Sequence, residues 1–350
     1  KGLSGNKMPK PENKAYIEKT LNPGALGGTA GTIFEAGMLK IKCHIVDTLE
    51  VIGGQCSALY PEKPIYDIPA CPKILASELI ERLEAQAEPF DPVYHLNQRV
   101  EKLIQNLDKT FTVVTSKNNE INCKVVIIAA GCGAFGPHRP PLENISDFEG
   151  KSLFYSVRSK AEFKNKRVVI AGGGDSALDW AIFLTEKNIA SEVTLVHRSA
   201  SFRGHLDSVQ KVIDLAETGK INLVTEAEVT GISGNGVLKN VTISHKTNGE
   251  MIQEADHFIP LFGLKPSLGP IGNWGLEIEK NAIKVDTLDY STNIPGIYAI
   301  GDVNTYPNKL KLILCGFHEG TLAVQSAFAR IYPEKKNVLK YTTVNGVNGF

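Results

Sequence analysis

Short, wholly apolar runs separated by glycine clusters dominate the polarity pattern of the chain. "RVVIA" (167–171) is β-branched, brief and without alternation, the pattern of a parallel strand buried on both faces. "GGGDSA" follows at once and fits G-x-G-x-x-A through Gly172, Gly174 and Ala177. A helical period then places Leu178, Ala181, Ile182 and Thr185 at i, i+3, i+4 and i+7. A second apolar run, "SEVTLVHR", comes next. Strand, glycine turn, helix and strand in that order form the βαβ unit of a dinucleotide site. Its glycines let the backbone approach a pyrophosphate. Asp175 and Ser176 open a helix whose free N–H groups and positive dipole end face that anion.

The end of the second run bears on the choice of nucleotide. An NAD site places an acidic residue there to hold the ribose 2′-hydroxyl. This chain has His197, Arg198, Ser199 and then Arg203, with no carboxylate among them. Guanidiniums present planar forks of donors that suit a 2′-phosphate, so the pattern favours NADP(H) over a merely solvated basic turn.

The same strand signature recurs on both sides of this unit. "CHIVD" ends in Asp47 and leads to "VIGGQ", with Gln55, and to Tyr60. "KVVIIAAGCGAFGP" carries another buried run, Val125 to Ala130. "GIYAIGD" ends at Asp302, and a helix-compatible stretch from about Leu312 to Tyr332 sets Ala323, Ala327 and Ile331 on one face. β-rich flanks around a complete βαβ unit predict one domain inserted into another. The fold class is α/β with two Rossmann-like domains. The expected division is 1–145 with 268–350, interrupted by 146–267, with turn-rich candidate linkers near Leu142–Ser152 and Phe262–Gly269.

Composition narrows the function class. With 350 residues the chain has room for two domains. A hydrophobic share of 42% with 22% charged residues suits a globular protein. Lys plus Arg and Asp plus Glu each number 38, which argues against nucleic-acid or membrane binding driven by bulk charge. No run has the length of a membrane span, and the first thirty residues lack a signal-peptide core. The six cysteines have no C-x-x-C spacing and read as thiols in a reducing compartment, the cytoplasm, with no metal site.

Taken together, "VIGGQCSALYPEKPIYDIP", "AAGCGAFGP", "GKSLFYSV", "RVVIAGGGDSALDW", "LVHRSASFR", "LGPIGNWGLEIEKN" and "GIYAIGDVNTYPNKLKLILCGFHEG" resemble the thioredoxin-reductase-like ferredoxin–NADP reductases, a family of homodimeric bacterial flavoenzymes. The resemblance runs from about Ile33 to Tyr341. It implies FAD in the discontinuous domain, NADPH in the inserted one, and ferredoxin as acceptor. Hydride would pass from nicotinamide to flavin N5 and electrons would leave singly, with no side chain needed as acid or base. It further implies Asp47 at the adenosine ribose, Gln55 and Asp302 at the ribityl–pyrophosphate region, Tyr60 stacked on the isoalloxazine and Val100 near the adenine. Phe135 and Thr343 fall at other flavin-contacting positions, and Tyr341 falls where a tail ring covers the second flavin face. Singly, Tyr60 also reads as a loop aromatic, Gln55 as a turn cap and Asp47 as a solvated strand end.

One segment departs from that family. Its first phosphate loop should fall on "GALGGTA" (24–30), yet the second and third glycine positions hold Leu26 and Thr29. The preceding "IEKTLNP" has Lys19 and Pro23 where apolar β-formers belong. Flavin binding is weakened, or neighbouring glycines cradle the phosphates, or the residues before Ile33 are not those of the true chain. Three rivals follow. A thioredoxin reductase needs a dithiol that the middle unit lacks, and Cys56 has Pro61, not cysteine, five positions on. An NADPH-binding protein without FAD would need only the intact middle unit. An NADPH-dependent diaphorase or oxidase would differ in its acceptor.

Overall fold

The computed structural model describes residues 26–131 and 133–338, together with Thr342 and Gly346. The chain divides into two units, one of residues 1–58, 63–134 and 266–350, the other of residues 59–62 and 135–265.

In the first unit, strand His44–Val46 pairs in parallel with Val93–His95, and Val126–Ile128 pairs in parallel with Ile297–Ala299. The apolar run 125–130 owes its lack of polar positions to burial on both faces. Val125, Ile127 and Ala129 join a core with Ile33 and Ala36 of helix Leu26–Met38 and with Ala323, Val324, Ala327 and Ile331 of helix Ile313–Ile331. Val126, Ile128 and Ala130 point the other way. They pack with Val100, Phe111, Val113, Ile121 and Cys123 of an antiparallel sheet, Val100–Gln105, Phe111–Thr115 and Glu120–Cys123. The predicted stripe Ala323, Ala327, Ile331 is buried.

The second unit repeats the plan. Its four-stranded sheet is parallel throughout, in spatial order Asn222–Thr225, Glu192–His197, Arg167–Ala171, His257–Pro260. Val168 and Ile170 face helices Asp175–Glu186 and Leu206–Glu217, through Leu178, Ala181, Leu184, Val212 and Leu215. Val169 and Ala171 face an antiparallel sheet that supplies Ala227, Leu238, Val241 and Ile243. The helix face is rotated from the predicted one. Ala177, Trp180 and Leu184 join Leu178 and Ala181 in burial, while Ile182 and Thr185 are half-buried. The turn-rich stretch Leu142–Ser152 is no open tether, because Leu142, Ile145 and Phe148 are buried in this unit's core. Among the described residues no helix is long and apolar enough to cross a membrane.

Candidate functional site

The glycine turn of the second unit is shaped by three different contacts. Gly172 donates its N–H to Val196 O at 3.0 Å, and a Cβ there would lie 2.6 Å from Leu261 O. Gly173 rests on the His197 imidazole, where a Cβ would stand 2.0 Å from Cε1. Gly174 has nothing within 4 Å of an added Cβ. It is also the N-cap of helix Asp175–Glu186 and makes no side-chain capping bond. The helix therefore opens with uncapped N–H groups beside empty space, a ready site for an anion. Ser176 is exposed on that first turn and Ala177 is buried beneath it.

The segment after strand Glu192–His197 is fastened to this turn. Arg203 donates its backbone N–H to Gly173 O at 2.8 Å, and Asp175 Oδ1 accepts the His205 N–H at 2.7 Å. Asp175 is thus engaged in holding the basic segment. His197 is buried, stacks on Phe202 with 4.8 Å between ring centroids, and bonds Ser201 O through Nε2 at 3.0 Å. Burial pushes its pKa down, against the pull of the Ser201 bond, and Arg198 and Arg203 push it further down. The imidazole is a neutral platform for the glycine turn. Arg198 and Arg203 are exposed, and neither guanidinium has a carboxylate partner among the described residues. Both line a cavity of about 390 Å³, with Gly172, Gly173, His197, Leu142, Glu228 and Phe262.

Two uncapped helix N–H groups, open space at Gly174 and two unpaired guanidiniums fit a dinucleotide carrying a 2′-phosphate. The sequence reading missed the cavity's far wall, Pro140 to Leu142 and Ala227 to Thr230. No local pattern joins those distant segments.

In the first unit, Asp47 follows strand His44–Val46, is 1% exposed, and accepts the Leu49 N–H on Oδ1 at 3.1 Å. Gln55 begins the short helix Gln55–Ala58 after Gly53 and Gly54. Val100 is fully buried, with its side chain in the core between the sheets. Asp302 lies in the 3-10 turn Gly301–Val303, directly after strand Ile297–Ala299. Burial pushes its carboxyl up in pKa and Glu319 adds to this, while Lys311 and Lys309 pull it down. Helix Ile313–Ile331 starts without a side-chain cap. A buried strand-end carboxylate at Asp47, a half-buried one at Asp302 and an uncapped helix start fit a flavin dinucleotide.

Tyr60 is not grouped with these residues. Its segment, 59–62, belongs to the second unit, where Tyr60 is half-buried against the core and Glu62 Oε2 accepts the Lys160 N–H at 2.9 Å. Phe135 lies in strand Ala134–Pro137. Tyr341 and Thr343 lie outside the described residues, as do Gly24 and the stretch 17–23. Leu26 and Thr29, at the altered glycine positions, lie within helix Leu26–Met38.

Comparison with known proteins follows these features. The profile of the pyridine nucleotide-disulphide oxidoreductases matches residues 27–321. Ferredoxin–NADP reductase 1 of Christiangramia forsetii is 57% identical over 321 residues, 91% of this chain and 90% of that protein. Ferredoxin–NADP reductase of Rickettsia akari is 52% identical over 313 residues, 89% of this chain and 93% of that protein. Among solved structures, thioredoxin reductase of Lactococcus lactis superposes with a TM-score of 0.76 at 22% identity, covering 91% of this chain and 99% of that one. The T. acidophilum thioredoxin reductase gives 0.76 at 24% identity, over 90% and 97%. These two share the fold of two Rossmann-like domains. The chain belongs to the pyridine nucleotide-disulphide oxidoreductase family, in the group whose named members are ferredoxin–NADP reductases.

Proposed function

We propose that the protein is a flavoenzyme that passes electrons between NADPH and ferredoxin, with NADP(H) held by the second unit and FAD by the first. The observation that carries the reading is the pair Arg198 and Arg203, unpartnered at a cavity beside an uncapped helix start, where an NAD enzyme would have a carboxylate. The relatives' names support ferredoxin as the partner. A homodimer acting in the cytoplasm completes the reading.

Bound FAD supplies a relay between a two-electron donor and a one-electron acceptor. The chain's own residues bind and orient. Gly172 and Gly174 bring backbone up to the pyrophosphate of the nicotinamide dinucleotide, with the first two helical N–H groups, from Asp175 and Ser176, as donors, while the Ala177 N–H is taken by Gly174 O. Arg198 and Arg203 take the 2′-phosphate. His197, held neutral, supports the turn from below. Asp47 takes the adenosine ribose hydroxyls, and Gln55 and Asp302 the ribityl–pyrophosphate region. The Val100 side chain is in the core, so a contact with adenine from that position runs through its backbone. Tyr341 and Thr343 complete the flavin set within the first unit, and Tyr60 and Phe135 fall in the second. Dithiol chemistry has no support in the second unit, since none of the six cysteines lies within 135–265.

The test is an absorbance spectrum of the purified protein before and after anaerobic NADPH, followed by oxidised ferredoxin. A flavin spectrum bleached by NADPH and restored by ferredoxin is expected. A colourless protein, or bleaching by NADH as effective as by NADPH, overturns it.

A further inference from the structure

Glu319 is a charged residue in an apolar place. It sits on helix Ile313–Ile331, four and eight residues before Ala323 and Ala327, on the face turned to the core, and it is 0% exposed. Four donors surround its carboxylate. Oε2 accepts the Gly301 N–H at 2.6 Å and Asn304 Nδ2 at 2.9 Å. Oε1 accepts Tyr306 Oη–H at 2.9 Å and pairs with Lys309 Nζ, itself only 7% exposed. A buried ion pair is weak evidence for stability, because desolvation opposes the Coulomb gain. What this pair achieves is geometric.

All four donors belong to one short stretch, Gly301 to Lys309, which carries Asp302. Gly301 has φ +73, a left-handed conformation that glycine adopts at low cost. The Glu319 bond to its N–H fixes the Ile300–Gly301 peptide, one residue before Asp302. Asn304 is spent on the same task. Its Nδ2 donates to Ala299 O at 2.8 Å as well as to Glu319, and its Oδ1 is left buried without a partner. A buried acceptor left open is costly, so the two donated bonds are the reason for an amide there.

We infer that Glu319 is a positioning residue of the flavin site: through Gly301, Asn304, Tyr306 and Lys309 it holds the Asp302 turn in the conformation that receives FAD. This rests on the assignment of FAD to the first unit. The essential element is an acceptor at position 319 for the Gly301 N–H, not the charge.

Two neutral double variants separate these elements. Lys309→Met with Glu319→Gln keeps a carbonyl acceptor in the pocket. Lys309→Met with Glu319→Leu removes it at similar volume. FAD affinity is read by flavin fluorescence during release from the holoprotein, and NADPH affinity by titration as a control on the second unit. The Gln variant should retain FAD within about threefold of wild type, and the Leu variant should bind it at least tenfold more weakly, with NADPH affinity equal in both. Equal FAD affinity in the two variants, whether both hold it or both lose it, overturns the inference. A wild-type protein that never holds FAD refutes the underlying cofactor assignment instead, so the two failures are distinct.

Discussion

Gly173 and His197 are in direct contact: a Cβ built on the glycine would lie 2.0 Å from Cε1 and 2.3 Å from Nδ1 of the imidazole. The ring cannot swing away, because it stacks on Phe202 and bonds Ser201 O. Its neighbour Gly174 is open, with nothing within 4 Å of an added Cβ. Two adjacent glycines therefore differ in surroundings, one packed against a ring and one bordering open space.

Substitution separates them. Gly173→Ala should lower unfolding stability by about 1–3 kcal/mol, the usual cost of forcing a methyl group into a filled site. Gly174→Ala should leave the Tm within about 1 °C of wild type and weaken NADPH binding by about tenfold or more. Thermal melts and NADPH titrations of the pair decide the matter. Loss of stability in the Gly174 variant, with NADPH affinity intact, would contradict the assignment.

The unpartnered guanidiniums predict cofactor choice. Hydrogen bonds to charged groups contribute about 1.5–3 kcal/mol each. Arg198→Ala with Arg203→Ala should raise KM for NADPH by at least about a hundredfold and that for NADH by no more than about threefold. Steady-state kinetics with both nucleotides check this. Parallel losses with the two cofactors would mean that the segment supports the turn without reading the 2′-phosphate.

Asp302 predicts a trade between stability and binding. Its pKa is raised in the fold, chiefly by burial, so the ionised form opposes folding at neutral pH and that cost is relieved as pH falls through the folded pKa. Asp302→Asn should raise the Tm of FAD-free protein at pH 7 by about 2 °C and weaken FAD binding by about tenfold. A variant that is less stable and binds FAD normally would reverse both readings.

Three histidines set the acid limit. Burial lowers the pKa of His95, His197 and His257, so each is held neutral in the fold and takes up a proton more readily when unfolded. Their contribution is complete above about pH 6.5 and disappears as pH falls through the lower folded values. Melts should show Tm falling between pH 7 and pH 5, with Asp302 acting weakly in the opposite sense. His257→Phe removes a titrating group that packs edge-on against Phe154 and Phe163, at 5.2 and 5.3 Å between ring centroids. A flatter pH dependence is expected, and an unchanged slope would exclude His257 as a contributor.

The sequence by itself determined the strands at 44–46, 126–128, 167–171, 192–197 and 297–299 and the glycine turn of the second unit. Strands buried on both faces are written as unbroken apolar runs, and a glycine turn followed by a helical period is a local signature. The absence of a carboxylate after His197 was equally legible, since it concerns residues within one short segment. Three things were decided only by the tertiary structure. Gly173 proved to be packed and Gly174 open, because the ring that separates their roles comes from another strand. Asp175 proved to be bonded to the backbone of His205, thirty residues away. Glu319 gathered the turn around Asp302. Its one local sign was a carboxylate four residues before Ala323 on an otherwise apolar helix face, but its partners lie in a preceding loop, and contacts between separated segments leave no periodic trace in the chain. A strand or a glycine turn is encoded by neighbours in sequence, whereas the orientation of a buried polar group is set by whichever partners the packing delivers.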